Sequence, residues 1–275
     1  MVSTSPRLSE SPGFIALALG DARVEVVPRQ GGRVRSLCLG GHEWLPVGAG
    51  WEECDGGARL RQAETTVAAD AEGQRVTCTW RGETMPWVLL RTLLVRADDA
   101  VEARYEALTT GHDRLPFLWS AQLLFPLTAR TRVRIPDGGR LRVAAVQGAA
   151  LTGNDAKDGA VPWPRLSLDE KPRDLGEPWS VPRRTLLSAW IDLGGGRSMV
   201  QLWQGDEQLT LTFDGAGVPY CGLVIDRPRR EITLGPSLGA PVGHEDALGD
   251  RQAVTWLAPG EPRRWTMTLR GPGPV

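Results

Sequence analysis

The sequence predicts an all-β protein, a large antiparallel β-supersandwich with few or no helices. Three observations carry that prediction. Apolar residues recur with a period of two in one segment after another, as strands with one buried and one solvated face require. Glycine and proline, 33 and 21 of the 275 residues, interrupt these segments at the short intervals of hairpins and meanders. No window of roughly 11–18 residues holds a convincing 3.6-residue periodicity.

The chain opens with a polar, Ser/Pro-rich stretch from Met1 to Gly13, which lacks the apolar run of a signal peptide. Residues 1–12 are expected to form a disordered tail. The first strands are expected at Phe14–Leu19, Val24–Val27 and Val34–Leu39. At Arg75–Arg81, Val76, Cys78 and Trp80 alternate with Arg75, Thr77, Thr79 and Arg81. Trp87–Val95 is ambiguous by its own pattern, and its β neighbours assign it to a strand. Val101–Leu108 and Val133–Ile135 follow. Residues 147–182, with five prolines and few apolar pairs, are expected to be a long irregular region of the kind that carries function or disorder. Strands resume at Leu186–Ile191, Met199–Trp203, Gln208–Asp214, Gly222–Ile225, Val254–Leu257 and Arg264–Arg270. Asp137-Gly138-Gly139, Gly194-Gly195-Gly196 and Asp214-Gly215 supply residues that tolerate positive φ. The second of these, followed by Arg197, reads as a hairpin turn. No internal boundary is apparent, so residues 1–275 are expected to form one sandwich domain.

Composition narrows the function. Hydrophobic residues at 41% and charged residues at 24% exclude a disordered or collagen-like chain. A net charge of -1, from 32 basic and 33 acidic residues, supplies no field for a nucleic acid. The only lysines are Lys157 and Lys171, and the arginines are spread along the chain. No apolar run approaches the ~18–20 residues of a membrane span. Cys38, Cys54, Cys78 and Cys221 show no CxxC spacing and read as reduced thiols of a cytoplasmic protein, with Cys78 and Cys221 in the core.

Familiar motifs carry little. Gly235-Pro236-Ser237-Leu238-Gly239 matches the GxSxG of a hydrolase elbow, but no helical pattern follows it. His244-Glu245-Asp246, with Asp250, lacks a recognised metal spacing and reads as a solvated acidic loop. No metal and no cofactor are expected. His42 and His112 sit in turn-like sequences. The 11 tryptophans are expected mostly in the core, with some free to line a groove, because an indole face stacks well on the C–H face of a sugar.

Four stretches then form a recognisable order. They are Gly31-Gly32-Arg33-Val34-Arg35-Ser36-Leu37 with Glu43-Trp44-Leu45; Gly50-Trp51-Glu52-Glu53-Cys54; Arg104–Leu108 followed by Leu115-Pro116-Phe117-Leu118-Trp119-Ser120-Ala121-Gln122-Leu123-Leu124-Phe125; and Gly222-Leu223-Val224-Ile225 followed by Ile232-Thr233-Leu234-Gly235-Pro236-Ser237. Together they resemble the aldose 1-epimerase-like proteins of the galactose mutarotase-like superfamily, from about residue 22 to 270. The second stretch is similar to that family's "GWDECFP", the third to its "PFLWSAHPLF" and the fourth to its "GLWI…IALEPT".

The resemblance implies a sugar-binding cleft and the interconversion of hexose anomers. In that chemistry a carboxylate takes the anomeric hydroxyl proton while a histidine protonates the ring oxygen. Gln122 stands where the family has that histidine, and Gly235 where it has that glutamate. Neither has a proton-transfer pKa to offer. The expected substrate-binding residues are Trp119 as a stacking platform, Gln122, Trp51 and Arg33. The expected surrogate carboxylates are Asp246 and Glu53, with His244, Glu245 and Glu52 as further candidates. Three functions stay open at this point: an epimerase with relocated catalytic groups, a catalytically silent carbohydrate-binding protein, and an enzyme on a sugar phosphate or acidic sugar with Arg33, Arg35 or Arg91 as anion clamp.

Overall fold

Each apolar face read from the alternation meets a second apolar face, because two large antiparallel sheets pack on a shared core. The computed structural model describes residues 7–240 and 254–272, apart from 12, 47, 49, 57, 71–72, 137, 153–159, 195–196 and 215–216. The larger sheet runs in the order Arg7–Ser11, Phe14–Leu19, Ala22–Val27, Arg33–Leu39, Trp51–Asp55, Trp119–Pro126, Glu231–Ser237, Tyr220–Asp226, Leu186–Asp192, Arg140–Gln147 and Val161–Pro162, with His42–Glu43 and Ala58–Arg59 as short side hairpins. The second sheet runs Thr131–Arg134, Arg197–Gln204, Glu207–Asp214, Arg263–Arg270, Ala100–Thr109, Trp87–Arg96, Gly73–Arg81 and Glu64–Asp70. Among the described residues the only helical segments are the 3-10 turns Pro28–Gln30 and Pro178–Ser180.

The strands expected from the alternation are present, with ends shifted by a residue or two. The ambiguous segment is the strand Trp87–Arg96, paired along its length with Ala100–Thr109. Three expectations are corrected. Arg7–Ser11, expected as part of a disordered tail, is a strand paired with Phe14–Leu19. Its sequence has no apolar alternation; backbone hydrogen bonds to a neighbouring edge hold it. Within the region expected to be irregular, Arg165–Leu168 and Lys171–Asp174 form a hairpin. Leu186–Asp192 and Arg197–Gln204, expected to be joined by a hairpin turn, lie in different sheets. Gly194, just after the first of these strands, takes φ +73, a conformation open to glycine at no steric cost.

A polar group sits at the centre of this apolar core. Glu53 from the larger sheet and Arg91 from the second sheet are both fully buried, with Nη1 2.8 Å from Oε1. The same Oε1 accepts from Trp51 Nε1 at 2.9 Å and from the Tyr105 hydroxyl at 3.1 Å. Oε2 accepts from Trp119 Nε1 at 2.6 Å. Arg91 Nη2 donates to the Gly32 carbonyl, and its guanidinium lies 5.1 Å from the Trp51 ring and 5.2 Å from the Trp80 ring. Burial, and then the Glu53 charge, push the Tyr105 pKa well above its ordinary value, so the phenol stays a donor. The bonds from Arg91 and Tyr105 tie one sheet to the other, and the bond from Trp119 ties one strand to its neighbour. Removing one member of such a buried pair strands the other's charge and costs about 3–5 kcal/mol. Glu53→Ala is expected to lower unfolding stability by about that amount in urea titrations followed by circular dichroism.

Candidate functional site

Alternation sends one set of side chains from the central strands into the core and the other onto the outer face of the larger sheet. Trp51 and Glu53 point inward, so Glu52 points outward; Ala121 and Leu123 point inward, so Gln122 points outward. Register then aligns the outward set. Gln122 pairs with Glu52, Trp190 with Gly222, and Gly222 with Gly235. Leu123 faces Leu234 and Ser120 faces Ser237, which brings Gln122 beside Gly235. One row therefore crosses the sheet: Glu52, Gln122, Gly235, Gly222, Trp190.

The two glycines leave bare backbone in the middle of this row. A Cβ at Gly235 would stand 3.0 Å from the Ala121 carbonyl oxygen, and one at Gly222 would stand 3.0 Å from Cζ3 of Trp190. The indole of Trp190, half-buried, lies over Gly222. Next to the row a groove of about 350 Å³ opens on the same face, within the size range of small-molecule sites. Its walls include Arg33, Glu52, Arg59, Gln122, Leu124, Val224, Asp226, Arg229, Glu231 and Thr233.

Charge in the groove balances: Arg33, Arg59 and Arg229 meet Glu52, Asp226 and Glu231. Glu52 sits between two arginines, with Arg33 Nε at 3.3 Å and Arg59 Nε closer still. Arg229 Nε lies 3.8 Å from Asp226 Oδ2. The Gln122 amide is exposed and, among the described residues, has no hydrogen-bond partner.

The structure brings some of the expected residues together and removes others. Gln122, Arg33 and Glu52 line one groove, with Gly235 in the adjoining row. Trp119 is corrected: it is fully buried, its indole flanked by Tyr105 at 4.7 Å and Trp265 at 4.8 Å, so no ring face is left for a ligand. Trp51 and Glu53 are corrected on the same ground, since both belong to the buried network. Arg91 is buried with them. Arg35 is engaged by Glu25 at 2.6 Å and stacks 3.7 Å from the Phe14 ring. Asp246, His244, Glu245 and Asp250 lie outside the described residues. His42 packs on Trp44 at 4.6 Å, and His112 is exposed in a bend; neither lines the groove. Ser237 of the GxSxG match is buried, its hydroxyl within hydrogen-bond reach of the Trp119 and Gly239 carbonyls at 3.0 and 2.6 Å.

Sequence reading missed Trp190, Arg59, Asp226, Glu231 and Thr233. For Trp190 and Thr233 a signal existed: each lies an even number of residues from a recognised outward position on its own strand, or alternates with apolar residues there. Arg59 had none, because a short side hairpin brings it to the rim.

Chemically the groove offers carboxylates, guanidinium groups, an amide and a hydroxyl. None of its lining residues is a histidine. Among the described residues no cluster of three or more His, Cys, Asp or Glu is placed to hold a metal ion. No helix of the described residues is long and apolar enough to cross a membrane.

Comparison with solved structures places this architecture. A candidate aldose 1-epimerase from Escherichia coli K12 superposes with a TM-score of 0.67 at 14% identity, over 95% of this chain and 99% of that one. A galactose mutarotase-like protein from Clostridium acetobutylicum gives 0.69 at 7% identity, over 99% and 100% of the two chains. A galactose mutarotase related enzyme from Lactobacillus acidophilus gives 0.62 at 12% identity, over 98% and 97%. This chain has the galactose mutarotase-like fold. No family model and no curated protein matches its sequence. The galactose mutarotase-like sandwich thus persists here on a sequence whose identity to these structures is at most 14%.

Within this galactose mutarotase-like sandwich the thiols are poor nucleophiles. Burial pushes Cys54 up to about 12, with Glu53 and Glu52 adding to the shift, and burial alone pushes Cys221 up to about 12. A thiol reacts as its thiolate, so raising the pKa above the ordinary value of about 8.5 suppresses attack throughout the neutral range. In the folded protein at about pH 8, iodoacetamide is expected to label Cys54 and Cys221 at least ~100-fold more slowly than in urea, as followed by peptide mass spectrometry.

Proposed function

We propose that this protein binds a carbohydrate on the outer face of its larger sheet, as an aldose 1-epimerase-like protein with Gln122 and Gly235 at the positions of the family's histidine and glutamate. The observation that carries the reading is the row Glu52, Gln122, Gly235, Gly222, Trp190. It combines an anchored hydrogen-bond acceptor, a free amide that both donates and accepts, two glycines and an indole resting on one of them. A saccharide ring presents hydroxyls around its edge and C–H groups on its faces, and these two kinds of surface match those two kinds of lining. The balanced charge of the groove suits the uncharged ring.

Anomer exchange needs one group to accept the anomeric proton and another to protonate the ring oxygen, each with a pKa near the working pH. Carboxylates stand in the groove, but Gln122 and Gly235 occupy the positions that the family resemblance assigns to the histidine and the glutamate. The chemistry left to the groove is therefore binding and orientation.

Tryptophan fluorescence titrations against a panel of neutral saccharides test the proposal. Saturable binding by at least one sugar is expected, weakened about tenfold or more by Trp190→Ala and by Gln122→Ala. Trp119→Ala is expected instead to destabilise the core by about 3–5 kcal/mol. Polarimetry of freshly dissolved α-hexoses is expected to show equilibration at the buffer rate. Rates above buffer would return the protein to the epimerases, and no response to any saccharide would reject a carbohydrate ligand.

A further inference from the structure

The groove does not end at Arg59, because that residue also lines a second and larger cavity of about 790 Å³. This cavity opens where the chain changes sheets. Ala58–Arg59 pairs with Cys54 and Asp55 in the larger sheet, and Glu64 opens the edge strand of the second sheet opposite Thr79. Leu60 to Ala63 span the interval. The strand Gly73–Arg81 runs two residues past Thr79, its last partner in that edge strand, so its end is bare on one side. The cavity lies between this bare end and the spanning segment, with Glu83, Thr84 and Met85 in its wall.

Backbone direction shows what the bare end offers. The Gly82 N–H donates to the Trp87 carbonyl at 2.9 Å, toward the strand Trp87–Arg96. Successive residues of a strand turn their N–H and C=O groups to opposite sides, so those of Arg81 face the other way, toward the cavity. Among the described residues no backbone group meets them there. Beside them the side chains of Arg61, Gln62, Glu83 and Thr84 are exposed and, among the described residues, without a hydrogen-bond or ion-pair partner. Charge balances as it does in the groove: Asp55, Glu64 and Glu83 meet Arg59, Arg61 and Arg81.

A lining of donors and acceptors with no excess charge suits an uncharged, hydroxyl-rich ligand. The groove on the sheet face, at about 350 Å³, is at the small end of the range for ligand sites and has room for one sugar ring. Arg59 joins the two spaces. Its Nε contacts Glu52 in the groove, and a guanidinium carries five N–H donors, more than one carboxylate engages. Donors therefore remain for hydroxyls on either side of it.

We propose that the two cavities form one extended site, and that its ligand is a saccharide of two or more units, with one ring in the groove and the next beyond Arg59. The inference rests on the carbohydrate reading above and deepens it, since it concerns how many units are bound.

Calorimetric titration of the full chain compares glucose, galactose and mannose with maltotriose, cellotriose, galactotriose and mannotriose. At least one trisaccharide is expected to bind about tenfold or more tighter than its own monosaccharide. Thr84→Trp and, separately, Gln62→Trp place a bulky side chain in the second cavity from exposed positions that do not line the groove. Each is expected to erase the gain from the added units while leaving monosaccharide affinity and the circular dichroism spectrum unchanged. Equal affinity for a monosaccharide and its trisaccharide, or a gain that survives both variants, would overturn the extended site and leave the carbohydrate reading standing. No binding of any of these saccharides would overturn both together.

Discussion

A single carboxylate between the two sheets sets much of the geometry of this molecule. Glu53 is buried among aromatic rings, where an ionised group is tolerated only if its lone pairs are met and its charge is balanced. Arg91 supplies the charge from across the core, and Trp51, Tyr105 and Trp119 supply the other donors. The donors come from four strands in two sheets, so the bonds form together only when those strands are in register. A packed apolar core tolerates small shifts at modest cost. This polar cluster does not, and it pins the strands Trp51–Asp55 and Trp119–Pro126 against each other.

That pinning reaches the outer face through the strand period. With Glu53 held inward, Glu52 is held outward between Arg33 and Arg59. With Trp119 held inward by its indole N–H, Gln122 stands on the opposite face of the same strand three residues later. The groove is therefore built on the back of the buried network, on rigid strands whose side-chain directions follow from a carboxylate they do not touch. The glycines of the adjoining row add width that no side chain could leave, with Trp190 resting on one of them.

Much of this was legible in the residues. The period-2 segments named the strands, and the motifs around Gln122 and Gly235 pointed to the two residues that the register sets side by side. The functional weight given to Trp119, Trp51 and Glu53 did not survive, and the reason is parity. A tryptophan beside a candidate site residue is as good a core anchor as a sugar platform, and only the direction of its strand decides which. Glu53 looked like a surface carboxylate because its partner, Arg91, lies 38 residues away on another sheet.

Local sequence determined the all-β class, the strand positions and the polarity of each strand's outer face, because these depend on alternation between near neighbours. Tertiary structure alone decided that Leu186–Asp192 and Arg197–Gln204 fall in different sheets and that Arg7–Ser11 joins an edge. It also chose between Glu52 and Glu53. Each of these depends on contacts that alternation does not record, since neither backbone hydrogen bonding across a sheet edge nor the burial of a charge leaves a periodic trace in the residues that make it.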